Sequence, residues 1–348
     1  MGGVIACGSP REVDIDARMI VNDVAIDVAI EDATLDAEID APPAVSLSPR
    51  CTTTPSVLID VSPRRLLNFA RSGDTLYVAA HDVGPSNEIT DPIVFTIDLV
   101  SGTQSAAPFV PTAEVSVWPS VDPTGDVFGT GAGTVWQFHP GSAPVALVTG
   151  RDTPALATAE GGYVYWAEKQ SAASFGALKR RLISGGTVEN VGFCEDAWDI
   201  VIAGNEIFCG GFRGLYHLPK DGSGSIQSIA YNTGYPVASV MSDGAGIAFV
   251  SLYNYPDLWK ATALSASATL IHRLTILGRY VGLTATSDYY YTVERDSGIR
   301  RIHRTTLDVE RVYTSSANRD PVLWNNQLYF EAPNPLLSGD RYILHCVD

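Results

Sequence analysis

The sequence is short of positive charge, of closely spaced cysteines and of long apolar runs. Its 23 Lys and Arg residues are outnumbered by 39 Asp and Glu residues, which gives a formal net charge of −16. Because a nucleic-acid backbone would repel such a chain, we expect no nucleic-acid partner. The five cysteines are too far apart for a Cys-x-x-Cys metal site. No apolar run reaches the roughly 18 residues that a membrane-spanning helix needs.

Residues 8–50 contain no aromatic residue and no lysine, but they contain ten acidic residues and three arginines. Few apolar groups and strong mutual repulsion are typical of a disordered chain, so we predict an acidic tether here. A helix is the alternative, since Asp23 and Asp27 are four residues apart, although aspartate is a poor helix former.

The four residues before this tether, Val4–Cys7, resemble the lipobox of bacterial lipoproteins, in which small residues precede a cysteine that becomes lipidated. A secretion signal also needs an apolar core of about 7–15 residues, and only six residues precede Cys7. A full signal would therefore begin upstream of Met1. The resemblance implies lipidation of Cys7 and a place in the bacterial envelope or on the cell surface, outside the cytoplasm.

What the rest of the chain does contain is a repeated aromatic strand. Gly, Asn or Asp commonly precedes it, and it aligns seven times at intervals of 37 to 51 residues. The aligned aromatics are Tyr77, Phe128, Tyr165, Phe208, Phe249, Tyr291 and Tyr329. A period near 40 residues is that of a four-stranded propeller blade.

The strands around each aromatic fit such a blade, because an apolar strand precedes it and a third strand follows it. The last unit ends after its third strand, Arg341–Val347, and an unassigned strand, Ser56–Asp60, precedes the first unit. We therefore predict an all-β, seven-bladed β-propeller over residues 51–348 that is closed by the N-terminal strand. Six or eight blades and a pair of β-sandwiches are the alternatives.

Tyr165–Glu168, Tyr-Trp-Ala-Glu, resembles the YWTD repeat of six-bladed propellers and the TolB-like family. Tyr291–Glu294 is the next best match. The resemblance covers the chain from about residue 54. It implies a propeller fold and use outside the cytoplasm, but it implies no activity.

The loops divide into two sets, and only one of them is rich in functional side chains. Turns between first and second strands are small, such as Gly161–Gly162, whereas loops between second and third strands carry charged and aromatic residues. Propellers gather the latter loops on one face, so we predict a ligand site there. Its candidate residues are His81, Asp82, Glu168, Lys169, Arg213, Tyr253, Asn254, Glu294, Arg295, Asp296 and Glu331.

Several chemical interpretations remain open at this face. Asp82, Glu168, Glu294 and Asp296 are potential pairs of carboxylates for glycoside chemistry. His81 beside Asp82 is a potential general base or metal ligand. No nucleophile elbow, phosphate loop or calcium loop is present, so we assign no catalytic residue, metal or cofactor. We place the six tryptophans in the core, because they fall within predicted strands.

Export would place the other cysteines in an oxidising compartment. Cys194 and Cys209 flank a predicted hairpin, and Cys51 precedes the closing strand while Cys346 lies in the last one. We predict the pairs Cys194–Cys209 and Cys51–Cys346.

Taken together, the sequence predicts three parts: a lipobox at residues 1–7, an acidic linker at 8–50 and a propeller at 51–348. We expect a monomeric, lipid-anchored protein that binds a protein or glycan through its loop-rich face. A carbohydrate- or ester-active enzyme using the same face and a structural envelope component are the alternatives.

Overall fold

The computed structural model describes residues 56–60, 64–83, 89–105, 108–111, 113, 115–118, 126–171, 174–231, 236–243, 246–251, 257–262, 267–273, 280–294, 298–314, 318–325, 327–333 and 341–347. The predicted lipobox, the acidic linker and Cys51 lie outside these residues. Every regular element in the described ranges is a β-strand. Those ranges accordingly contain no apolar helix of membrane-spanning length.

The described strands form seven sheets, in which all pairings are antiparallel. The first contains β2 (Arg65–Ser72), β3 (Thr75–Val83) and β4 (Ile89–Asp98). The second contains β5 (Val115–Trp118), β6 (Val127–Gly131), β7 (Thr134–Phe138) and β8 (Val145–Val148). The third contains β9 (Pro154–Glu160), β10 (Tyr163–Ser171), β11 (Ser174–Leu182) and β12 (Glu189–Phe193).

The remaining sheets follow the same order along the chain. The fourth contains β13 (Ala197–Ala203), β14 (Glu206–Gly211), β15 (Gly214–Pro219) and β16 (Gln227–Ile229). The fifth contains β17 (Val237–Ser242), β18 (Ile247–Ser251), β19 (Asp257–Ala261) and β20 (Thr269–Arg273). The sixth contains β21 (Tyr280–Ala285), β22 (Tyr289–Glu294), β23 (Gly298–His303) and β24 (Val309–Tyr313). The seventh contains β25 (Asn318–Trp324), β26 (Gln327–Pro333), β27 (Arg341–Val347) and β1 (Ser56–Asp60).

Two sheets depart from the simple pattern of four consecutive strands. In the seventh, β1 pairs antiparallel with β27, from Ser56 opposite His345 to Asp60 opposite Tyr342. In the first, two isolated bridges replace a regular fourth strand, because β4 pairs with Gln104 and Phe109 only at single residues. The long connection that carries these bridges falls in the interval of 51 residues between Tyr77 and Phe128.

The core of the described residues lies between neighbouring sheets. Seven hydrophobic clusters occur, and each joins one sheet to the next along the chain or the seventh to the first. In the cluster that joins the seventh sheet to the first, Tyr329 packs with Leu76 and Phe95. First strands also contact one another in sequence, and β25 contacts β2. The fold is therefore an all-β propeller.

Tight hairpins explain why the strands follow one another so closely. Gly161 and Gly162 join β9 to β10 with φ angles of 60° and 79°, which brings Glu160 opposite Tyr163. A turn with two positive φ angles matches the twist of the flanking strands, and glycine adopts that conformation without a steric penalty.

The aligned aromatics all lie in second strands and all are buried, at 3% exposure or less. The side chains of Tyr165 and Phe208 both face the following sheet. The alignment is wrong by one residue at Phe249, which packs against the preceding sheet beside Phe208. Ala248 faces the following sheet instead. A one-residue shift reverses the side on which a strand residue lies.

The predicted disulfide between Cys194 and Cys209 is confirmed, with Cα atoms 6.6 Å apart. Cys209 lies in β14 opposite Ile200, whereas Cys194 precedes β13. The bond therefore ties β14 to the segment that connects the third and fourth sheets. The other predicted pair is untested, because Cys51 and the side chain of Cys346 lie outside the described residues.

Candidate ligand-binding face

We define the loop face as the ends of the second strands, the connections to the third strands, and the segments that lead into the first strands. In a propeller these segments gather on one side. Four predicted site residues lie here and are buried: His81 at 3% exposure, Glu168 at 5%, Glu294 at 2% and Glu331 at 0%. Polar side chains are seldom so buried unless the surrounding structure interacts with them.

Glu168, in β10, accepts hydrogen bonds from three donors. Arg151 Nε lies 2.5 Å from Oε1, Arg151 Nη2 lies 2.9 Å from Oε2, and Trp166 Nε1 lies 2.8 Å from Oε1. Burial alone would raise the pKa of Glu168, but the hydrogen bonds from Arg151 and Trp166 outweigh it and hold that pKa below its usual value. Glu168 is therefore an anion at neutral pH rather than a proton donor.

Glu294 occupies the equivalent position in another sheet. Each of these glutamates is the sixth residue of its second strand, β10 or β22. Arg300 Nε lies 2.9 Å from Glu294 Oε1. By register, Arg300 stands opposite Thr292 as Lys179 stands opposite Trp166. Both sheets therefore place a cation on the third strand beside a buried carboxylate on the second.

The two glutamates nevertheless face different neighbouring sheets. Trp166, two residues before Glu168, packs against the second sheet, whereas Tyr290, four residues before Glu294, packs against the fifth. Since alternate residues of a strand share a face, the two carboxylates point into different intersheet spaces. Asp82 is bound by Arg64, with Nε 3.2 Å from Oδ1, in the first sheet.

Arg213 belongs to an exposed cluster that we call the aromatic patch: Trp198, Phe212, Arg213 and Glu195. The residues Trp198 and Phe212 are 39% and 38% exposed, and their ring centroids are 6.2 Å apart. The guanidinium of Arg213 lies 6.0 Å from the centroid of Phe212 and its Nε lies 3.5 Å from Glu195 Oε1. The prediction of a core position is wrong for Trp198, which lies near the start of a first strand, where its ring reaches the loop face. Trp166 and Trp259 are buried as expected.

The other predicted site residues lie outside the part of the chain whose side chains are described. They are Lys169, Tyr253, Asn254, Arg295 and Asp296. Among the described residues, no group of three or more His, Cys, Asp and Glu side chains is arranged to hold a metal ion.

Asp257 is a loop-face residue that the sequence analysis missed. It is the first residue of β19 and is fully buried, at 0% exposure. Arg273 Nε lies 3.5 Å from its Oδ1. Burial raises the pKa of Asp257 more than the attraction of Arg273 lowers it. Its position three residues after the predicted site residue Asn254 was the available signal.

The opposite face also contains buried charged residues, although its turns are short. Asp243, which follows β17, has a fully buried side chain that contacts Lys260 at 2.8 Å, Arg304 at 3.2 Å and the hydroxyl of Tyr290 at 3.0 Å. Asp126 contacts His139 Nδ1 at 2.6 Å. Because these carboxylates are engaged by neighbouring strands, they stabilise the sheets.

A cavity of about 540 Å³ opens beside Glu168. It lies on the side of the third sheet that faces the second, since its lining residue Lys179 stands opposite Trp166. The lining residues are Asp152, Glu168, Ala177, Lys179, Asn190, Gly192 and Phe193. The volume falls within the range of roughly 300–1,000 Å³ that is typical of ligand pockets.

Comparison with known proteins supports the fold. No protein-family model matches the chain, and no curated protein matches it. The resemblance to YWTD and TolB-like repeats therefore remains a prediction.

Solved structures similar to this chain include two proteins with TM-scores of 0.60 or above. One is a catalytically inactive virginiamycin B lyase from Staphylococcus aureus with quinupristin, at 13% identity, TM-score 0.62 and coverage of 83% of this chain and 98% of that chain. The other is YCF48 from Cyanidioschyzon merolae, at 10% identity, TM-score 0.60 and coverage of 84% and 98%. The β-propeller domain of Myceliophteria thermophila Cps50 (Swd1) matches at 13% identity and TM-score 0.55, with coverage of 81% and 99%. At such identities the similarity shows the fold alone.

Proposed function

We propose that this protein is a ligand-binding β-propeller that engages a glycan or a protein partner through its loop face. The observation that carries the proposal is the aromatic patch. Two large aromatic residues, Trp198 and Phe212, are each more than a third exposed, and their rings lie next to each other beside Arg213. Tryptophan, tyrosine and arginine are the residue types that most often dominate the energy of binding interfaces.

The test compares two double variants of the full chain. Trp198→Ala with Phe212→Ala removes both rings of the patch. Val145→Ala with Leu270→Ala removes two other exposed apolar side chains, which lie in the outer strands β8 and β20. Ligands are sought on a glycan array and by pull-down from bacterial envelope extract.

We expect the patch variant to lose at least tenfold in affinity for whatever ligand the wild type retains, and the control variant to bind as the wild type does. Equal binding by the patch variant would contradict the proposal. Failure of the wild type to retain any ligand would favour the alternative of a structural envelope component.

An enzyme of carbohydrate or ester chemistry is the second candidate, and Asp257 is the observation that favours it. A buried carboxylate with a raised pKa is a common property of catalytic acids. If Asp257 acts in this way, Asp257→Asn abolishes turnover of a ligand that the protein still binds. Absence of turnover of every retained ligand by the wild type contradicts this candidate.

We also propose that the protein is held outside the cytoplasm by lipid on Cys7, as a monomer on an acidic tether. The disulfide between Cys194 and Cys209 supports an oxidising compartment. Labelling with a radioactive fatty acid in a bacterial host, using the gene with its upstream sequence, tests the anchor. Incorporation that persists in Cys7→Ala, or is absent from the wild type, contradicts it.

For the architecture, we propose that each of the seven sheets is one blade and that β1 closes the ring. The pairing of β1 with β27 and the packing of Tyr329 against the first sheet support this proposal. Deletion of residues 51–60 is then expected to leave β27 with an open edge and to promote aggregation. A deletion variant that stays monomeric and as stable as the wild type contradicts closure.

A further inference from the structure

Five of the residues that line the cavity beside Glu168 lie in two rows that cross the third sheet. Glu168, Ala177 and Phe193 are successive partners in one row. Trp166, Lys179 and Asn190 are successive partners in the next row. Because cross-strand partners lie on the same face, the rows form a continuous wall with Phe193 at one corner and Asn190 at another.

The charges around this cavity balance. Glu168 is already neutralised by its two hydrogen bonds from Arg151. The remaining charged groups are one ammonium, on Lys179, and one carboxylate, on Asp152. A ligand with a net charge therefore gains no overall attraction here, whereas a neutral ligand meets both a cationic and an anionic partner.

The hydrogen-bonding groups of the wall suit hydroxyl groups. Lys179 Nζ donates to Asn190 Oδ1 over 3.1 Å, which fixes the side-chain amide of Asn190 with its nitrogen available as a donor. Asp152 offers acceptor oxygens, and a hydroxyl both donates and accepts. Phe193 adds an apolar surface, so the cavity combines a ring with a few convergent polar groups, as ligand pockets do.

We propose that this cavity binds a neutral sugar unit of a glycan. The proposal rests on the proposed function of the loop face and specifies its ligand class. The sugar's hydroxyl groups are held by Lys179, Asn190 and Asp152, and one face of its ring lies against Phe193. Glu168 is a positioning residue, since it is held by Arg151 and Trp166 and shapes the floor of the cavity.

The experiment measures the affinity of the full chain for a panel of neutral disaccharides and their uronate counterparts by titration calorimetry. The pocket variants are Lys179→Met, which keeps most of the aliphatic stem, and Asn190→Ala. The control is Asn205→Ala, an exposed asparagine in the short turn between β13 and β14. Thermal unfolding of each variant checks that it folds.

We expect at least one neutral disaccharide to bind the wild type, with about tenfold or greater loss of affinity in each pocket variant and no loss in the control. The inference is overturned if the pocket variants bind as the wild type does, if a uronate binds tenfold more tightly than its neutral counterpart, or if no saccharide binds. Loss of ligand in the patch variant alone, with the pocket variants unaffected, would refute the cavity but leave the proposed function standing.

Discussion

Single residues of the loop face show how burial and hydrogen bonding compete for the charge of a carboxylate. Glu168 and Asp257 are both nearly inaccessible, at 5% and 0% exposure. The pKa of Glu168 is nevertheless lowered and that of Asp257 raised. The difference lies in their donors, because Glu168 receives three close hydrogen bonds while the nearest Arg273 nitrogen is 3.5 Å from Asp257.

Glu168→Gln is expected to lower the free energy of unfolding at neutral pH by about 1–3 kcal/mol, because it weakens charge-assisted hydrogen bonds from Arg151 and Trp166. Since the pKa of Glu168 is lowered in the folded state, its contribution is complete above the unfolded value and is lost as the pH falls through the folded value. Urea unfolding from neutral pH down through the carboxylate range measures both effects. A variant with the same stability and the same acid sensitivity as the wild type would contradict this account.

Asp257→Asn is expected to have the opposite effect and raise stability at neutral pH. The pKa of Asp257 is raised in the folded state, so its favourable contribution is present below the unfolded value and is lost as the pH rises through the folded value. The asparagine amide does not ionise, so the variant keeps this stability at neutral pH. Urea unfolding at neutral pH measures the gain.

Asp98→Asn is the matched control for that substitution. Asp98 Oδ1 accepts hydrogen bonds from the backbone of Val100 and Ser101, and these lower its pKa. Removing its charge should therefore not raise stability at neutral pH. An Asp257 variant that is less stable than the wild type would show that the ionised carboxylate is favourable where it lies.

At the scale of elements, local sequence determines the strands and hairpins. The register of each strand determines which of its side chains point to which neighbouring sheet. Phe249 shows where local sequence fails. The alignment of aromatic residues was one position out in this strand, so it assigned Phe249 to the wrong side of the sheet. The sequence predicted the last third strand correctly, since the predicted Arg341–Val347 is the observed β27. It could not predict the two single-residue bridges that stand where a fourth strand of the first sheet would lie.

The double substitution Cys194→Ala and Cys209→Ala is expected to destabilise the protein. The bond closes a loop of sequence separation 15, for which the chain-entropy account gives about 3 kcal/mol. Urea unfolding with and without reductant measures the effect. The variant should be insensitive to reductant, and a variant as stable as the oxidised wild type would contradict the prediction.

The whole molecule is held together by contacts between sheets, and not all of them are apolar. Asp243 follows a strand of the fifth sheet but contacts Tyr290 and Arg304 of the sixth. Burial, together with the charge of Asp243 and its hydrogen bond, raises the pKa of Tyr290 to about 12. The buried carboxylate of Asp243 therefore connects two sheets through an ion pair and a hydrogen bond, in addition to the apolar clusters.

Asp243→Asn is expected to lower the free energy of unfolding by about 3–5 kcal/mol, because it leaves the cations of Lys260 and Arg304 beside a buried site without their anion. Urea unfolding followed by tryptophan fluorescence measures the loss. Asp308→Asn is the control and should change stability little, because Asp308 is an exposed aspartate in the connection between β23 and β24 of the same sheet. A small effect at Asp243 would show that water compensates the two cations there.

The sequence by itself determined that this protein is a β-sheet repeat protein, because hairpin turns and buried aromatic residues are local features that recur along the chain. It also identified Glu168, Glu294 and Arg213 as residues of one face, because each lies near the end of a second strand or in the connection that follows it. Tertiary structure alone decided which of these side chains meet. Glu168 pairs with Arg151, and Glu294 pairs with Arg300. Trp198 is exposed, whereas Asp257 is buried. These outcomes depend on how neighbouring sheets pack and on strand register, and neither property is encoded in a short stretch of sequence.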